Sequence, residues 1–156
     1  MKTAWIHFVG AISLLAVAGC ATAQRLPRFQ PESIRADPAW NDSAQGRVLV
    51  KFYIDKHRKP YGATILEASS ASLLKPSGEI NLSSAARPRL TERAVVLINN
   101  ARFDPTDHTR TNATTPYKVT VIFCLKDMIC GRIPAYPDSV SVVVPIEIYR
   151  ELQPIS

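Results

Sequence analysis

The sequence predicts a small α+β domain in which three or four antiparallel strands pack on one main helix, in the order β-β-α-β-β. Three stretches carry that reading. Gly46 to Asp55, GRVLVKFYID, alternates so that Val48, Val50, Phe52 and Ile54 share one face, which is the period of a half-buried strand. Leu90 to Pro105, LTERAVVLINNARFDP, puts Leu90, Ala94, Leu97, Ile98 and Ala101 at helical spacing and then stops at an Arg-Phe-Asp-Pro turn. Tyr117, Val119, Val121 and Phe123 alternate again as a strand.

The N-terminus lies outside this domain. Lys2 and the apolar run Ala4 to Ala18, about 15 residues, are too short for a comfortable membrane span and suit a secretory leader. Val17-Ala18-Gly19-Cys20 is similar to a bacterial lipobox, in which Cys20 becomes the lipidated first residue; Ala21-Thr22-Ala23 offers ordinary cleavage instead. Either route exports the chain. Residues 1–20 are thus read as a signal peptide, 21–45 as a proline-containing linker, 46–150 as the domain and 151–156 as a tail. Losing residues 1–20 removes Lys2 alone from 19 basic and 13 acidic residues, so 18 minus 13 leaves +5. That charge suits solubility, anionic headgroups, peptidoglycan or an acidic partner. Nothing in the chain pairs basic with aromatic residues as nucleic-acid binders do.

Within the domain, the first strand runs into the turn Asp55-Lys56-His57-Arg58-Lys59-Pro60 and a second strand, Tyr61 to Ala68. Ser69 to Arg89, with Lys75-Pro76-Ser77-Gly78-Glu79 inside it, reads as an inserted exposed loop with a short helical turn near Ser72 to Lys75. The helix is expected over Thr91 to Ala101, capped by Thr91 or a neighbour, with Phe103 plugging the core beneath its end. Trp40 is expected to pack the linker onto the domain. Cys124 and Cys130 form a C-x5-C pair, which in an oxidising compartment is a structural disulfide worth about 2 kcal/mol on the loop-entropy estimate. After it, Val140, Val142, Val144, Ile146 and Ile148 alternate as a last strand, expected to lie antiparallel beside the Tyr117 strand. Pro145, lacking an N–H, makes this last strand the sheet edge.

Catalytic motifs are lacking. His108 with Asp104 and Asp107 is not at metal-ligand spacing and reads as a solvated loop. Ser72-Leu73-Leu74-Lys75 fits Ser-x-x-Lys without the partner motifs of penicillin-binding enzymes. Lys56 to Lys59 reads as a basic hairpin tip. No phosphate loop or nucleophile elbow appears, so neither a cofactor, a metal nor an enzymatic activity is expected.

The order of these pieces, GRVLVKFYID followed by AVVLINNARFDP and an alternating strand, resembles the C-terminal domain of TonB, the periplasmic energy transducer of Gram-negative bacteria. The resemblance covers Gly46 to Ser70 and Leu90 to Leu125. This chain has Arg58 where the family's first turn commonly has Gly, and Ala101 where its helix commonly ends in Trp. Aligning Val144 to Ile148 with the family's final strand instead makes the spacing from Phe103 too long. In the family a partner peptide adds a strand beside the segment corresponding to Tyr117–Leu125, a mode called β-augmentation. The resemblance therefore implies Tyr117, Val119 and Val121 as partner-binding residues, with Val142 and Val144 of the extra strand over that edge. It also implies a partner in the envelope, either a TonB-dependent receptor or a peptidoglycan-associated component. Because Ala21 follows Cys20, it implies an anchor at the outer membrane. The long spacer and inner-membrane anchor of a complete transducer are not recognisable here. The expected function is an exported interaction module; an accessory or truncated transducer for outer-membrane transport is the alternative, and an envelope enzyme is the third reading.

Overall fold

The computed structural model describes residues 25–38, 40, 44–74, 79–83, 88–125 and 130–146. The leader, Cys20, Ala21 to Ala23, Ile148 and the 151–156 tail lie outside the described residues. Five strands and one helix make an α+β fold: β1 (Gly46–Ile54), β2 (Pro60–Leu74), β3 (Glu79–Ser83), α1 (Pro88–Asn100), β4 (Tyr117–Leu125) and β5 (Val140–Ile146). The sheet order is β3-β2-β1-β4-β5.

The face read from the sequence is the one that joins the main core, but burial does not alternate, because Thr120, Ile122 and Cys124 of β4 and Leu49 of β1 are buried on the other face as well. Val48, Val50, Phe52 and Ile54 of β1 and Tyr117, Val119, Val121 and Phe123 of β4 share one core with Leu90, Ala94, Leu97 and Ile98 of α1, which sits over β1 and β2. Each large side chain buried this completely contributes roughly 1.5–3 kcal/mol of apolar transfer. Helix and sheet approach closely because Gly46 has no side chain: a Cβ there would strike the Ser69 carbonyl oxygen and lie 2.9 Å from Leu90 Cδ1. The start of α1 therefore lies close to the Gly46 end of β1.

Four expectations are corrected. Where it is described, the stretch 69–89 is not a loop. β2 continues through Leu74, Ser72 included, and β3 pairs with it antiparallel from Ser70↔Ser83 to Leu74↔Glu79. Ala71 and Leu82, facing each other across this pair, pack against a small apolar cluster on the sheet's far side, and that burial holds the hairpin on the sheet. The sheet thus has five strands rather than three or four.

β5 lies parallel to β4, from Val119↔Val140 to Leu125↔Ile146, and not antiparallel. The disulfide closes only the first part of the connection. The rest of residues 126–139 is long enough to return along the sheet, as a parallel crossover requires.

The helix begins at Pro88, a residue suited to a first helical position. Thr91 is therefore inside it, its hydroxyl donating to the Pro88 carbonyl at 2.7 Å and not capping the start.

The segment read as a linker is packed onto the domain. Phe29 bridges Phe103 and stacks on it at 4.9 Å, Ile34 and Ala44 join the core, and Trp40 meets Phe123 edge-on at 6.0 Å beneath the Arg93 guanidinium. The expected roles of Trp40 and Phe103 are the ones seen.

The β1–β2 turn is tight although it contains no glycine. Arg58 adopts φ 60°, the left-handed conformation a Gly would take, and the Asp55 carboxylate accepts the amides of His57 and Lys59, both at 2.8 Å.

Candidate binding edge and the crossover that covers the far face

β4 has no free edge. β1 pairs with it on one side and β5 on the other. Of the residues the resemblance implicates, Tyr117, Val119 and Val121 point into the core, Val144 is buried there too, and Val142 is half-buried against it. They share the helix-facing side of neighbouring strands and are not on an open surface. The outer strand is β5, with no strand beyond it among the described residues. Its exposed apolar residues are Val140, 51 % exposed, and Val143, 43 % exposed; Ser141 and Pro145 are exposed as well. Alternation alone does not distinguish these outward residues from the buried ones, because Val140 is in phase with Val144 yet lies beyond the helix's reach.

The segment between β4 and β5 covers half of the sheet's far face. Cys124, near the end of β4, is bonded to Cys130 with a Cα–Cα distance of 5.5 Å, as the spacing predicts. Both join the far-face cluster of Ile122 and Ile133 with Ala71 and Leu82. Tyr136 then settles over Arg47, and its hydroxyl is 2.8 Å from Ser69 Oγ. The crossover is closed by three polar contacts. Tyr136 N–H donates to Thr120 Oγ1 at 3.0 Å, Ser139 Oγ donates to the Tyr136 carbonyl at 2.7 Å, and the two hydroxyls are 2.5 Å apart. Ser139 has one hydroxyl hydrogen, so Thr120 must donate to it. The fully buried Thr120 is thereby satisfied as both donor and acceptor, which a buried hydroxyl requires.

Beyond Thr120 the crossover gives no cover. There Lys51 lies between Lys118 of β4 and Thr64 of β2, and Tyr53 stacks on Tyr61 at 5.6 Å.

Asp104, Asp107 and His108 do not assemble a catalytic group. Asp107 Oδ1 accepts from Thr109 Oγ1 and N–H, and its Oδ2 accepts from the Arg28 N–H at 2.8 Å. The Thr109 hydroxyl, followed by the Arg28 and Thr109 amides, holds this carboxyl well below the usual carboxylate range. Asp104 is lowered as well, chiefly by the Thr106 hydroxyl. Both carboxylates clamp the incoming chain at Arg28, while His108 is exposed. Sequence reasoning missed this clamp; the Asp-x-Thr spacing at Asp104/Thr106 and Asp107/Thr109 was its signal. Ser72 sits on β2 opposite Asn81, and Lys75 lies outside the described residues. Among the described residues no three His, Cys, Asp or Glu side chains gather as a metal site, and no helix is long and apolar enough to cross a membrane.

Compared with family models, characterised proteins and solved structures, the chain finds no match.

Proposed function

We propose that the protein is an exported cell-envelope interaction module on a TonB C-terminal-like scaffold, and that it holds a protein partner along the outer edge of β5. The observation that carries this reading is the sheet order. β1 lies between β2 and β4; the strand, strand, helix, strand succession along the chain is compatible with the resemblance, and β3 is an addition to it. β5 then takes the side of β4 where such a scaffold receives its client. The surface left for β-augmentation is the next edge outward, flanked by Val140 and Val143. Pro145 removes one donor from this strand, which limits indiscriminate pairing. Export is supported by the apolar leader together with the Cys124–Cys130 disulfide, a bond that persists in oxidising compartments.

Photo-crosslinking from positions 141 and 143 in intact cells tests the proposal, with position 96 on the exposed side of α1 as the reference. Adducts with one envelope protein from β5 and none from α1 are expected. Adducts confined to α1 would overturn the β5 edge as the binding surface. Recovery of outer-membrane receptors through their short N-terminal peptide would replace this reading with the accessory-transducer one.

A further inference from the structure

We propose that the β1–β2 turn end of the sheet is a membrane-facing surface, on which Lys51, Lys118 and the basic turn take the phosphate groups of anionic phospholipids. The inference rests on the envelope location proposed above, and its choice of a bilayer over an acidic protein rests also on an anchor at Cys20.

The first observation is a like-charge pair. Lys51 and Lys118 are register partners on β1 and β4, so their side chains emerge side by side on the open far face. Like charges directly opposite each other destabilise a sheet. No carboxylate pairs with either one among the described residues. Their other neighbours there are Thr64, the Tyr53–Tyr61 stack and, one pair further along β1, the exposed Glu67 opposite Leu49. A planar array of phosphates neutralises such a pair without asking either ammonium to leave water.

The adjoining turn adds Lys56, His57 and Lys59, all exposed. Its one acid, Asp55, points into the turn to accept the His57 and Lys59 amides. Asp104 and Asp107, at the same end, are occupied by Arg28 and the Thr106 and Thr109 hydroxyls. Asp138, just before β5, and Glu67, opposite Leu49 on the same face, are the other carboxylates near the pair, fewer than the basic groups around them. Tyr61 is 44 % exposed with its hydroxyl on the Ala113 carbonyl, and a tyrosine with one wet and one apolar side suits a headgroup boundary.

The second observation is where the chain enters, and it favours a bilayer over an acidic protein. Arg28 is tied to Asp104 and Asp107, and Phe29 lies against Phe103 and Phe52, whose β4 partner is Tyr117. The described chain therefore begins at the same end of the sheet as the lysines. From Cys20 to Arg25 an extended chain reaches at most about 17 Å. An anchor at Cys20 would bring this end, and no other, to the membrane. The β5 strand leads away from it toward the disulfide, so the protein-binding edge stays accessible.

The test uses the whole exported chain with Cys20→Ser, purified from the envelope, so that no acyl chain contributes. It is sedimented with phosphatidylcholine vesicles, with and without phosphatidylglycerol. Binding only to the anionic vesicles, weakening as salt rises, is expected. Each lysine at an anionic surface is worth about five-fold in partitioning, so Lys51→Gln with Lys118→Gln should lose about twenty-fold. Arg89→Glu, at the start of α1 near the Gly46 end, should lose much less. Lys51→Glu with Lys118→Glu should abolish binding; if it does not fold, the glutamine pair decides. Undiminished binding of the glutamine pair, equal binding to neutral vesicles, or binding to poly-glutamate without binding to anionic vesicles would each overturn the proposal. Crosslinking from position 143 reads a different surface, so the failure of either proposal leaves the other standing.

Discussion

Arg47 of β1 sits over the ring of Tyr136, its guanidinium carbon 4.0 Å from the ring centroid, and its Nη1 donates to the Pro134 carbonyl at 2.8 Å. The ring is buried, its hydroxyl meets Ser69 and its backbone N–H meets Thr120. One residue therefore holds the crossover against three strands' worth of partners.

Tyr136→Phe removes only the Ser69 contact and should cost about 1 kcal/mol in urea unfolding, the usual net value of one such hydrogen bond. Tyr136→Ala removes the ring as well and should cost about 3–4 kcal/mol. A similar loss from both variants would mean that the ring's packing contributes little.

Reduction of Cys124–Cys130, or Cys130→Ser, should lower stability by about 2 kcal/mol, the loop-entropy value for a cross-link with a sequence separation of 6. The measurement is denaturant unfolding with and without reductant. Because Cys124 is buried in the Ile122/Ile133 cluster, Cys124→Ser should cost more than Cys130→Ser.

Acid should release the N-terminal clamp first. Asp107 titrates lower in the folded chain than in the unfolded one, so its contribution is present above the unfolded value of about 4 and is lost as pH falls through the folded value. Asp104 acts in the same direction. Protection of the Arg28 to Ser33 amides, measured against their intrinsic exchange at each pH, should therefore fall below about pH 4, ahead of β1 and β4. Asp107→Asn should accelerate the same amides at neutral pH and flatten their acid response.

Arg58→Gly should stabilise the fold. A non-glycine residue in the left-handed region costs roughly 1–2 kcal/mol, partly offset by the greater unfolded-chain freedom of Gly. A net gain of about 0.5–1 kcal/mol is expected from thermal unfolding. An unchanged or lower midpoint would show that the arginine side chain compensates for its backbone.

The sheet's helix-facing side was legible in the sequence because Val48 to Ile54 and Tyr117 to Phe123 obey a period of two, with a core on one side. β3 was not, although Ile80 and Leu82 also alternate. Their surroundings of Ser, Ala and Pro look like a loop, and the burial of Leu82 comes from residues 122, 124 and 133, far along the chain. The direction of β5 was illegible for a different reason: alternation in Val140 to Ile146 is the same read forwards or backwards. Only the length of 126–139 carried the information, and the short disulfide inside it pointed to a tight return. The candidate edge was foreseen as the last strand, but the side chains named for it are mostly core residues.

The crossover also changes what occupying the edge would require. In a simple hairpin, an outer strand peels away by breaking one ladder. Here β5 is continuous with a strap held by Ile133, Tyr136 and the Thr120–Ser139 contact, so opening β4 would mean lifting the strap as well. On the proposed binding mode, β5 would therefore act as the template and not as a competitor to be displaced. A client pairing with it would meet a strand already in position, with no conformational tax for a rarely populated open state.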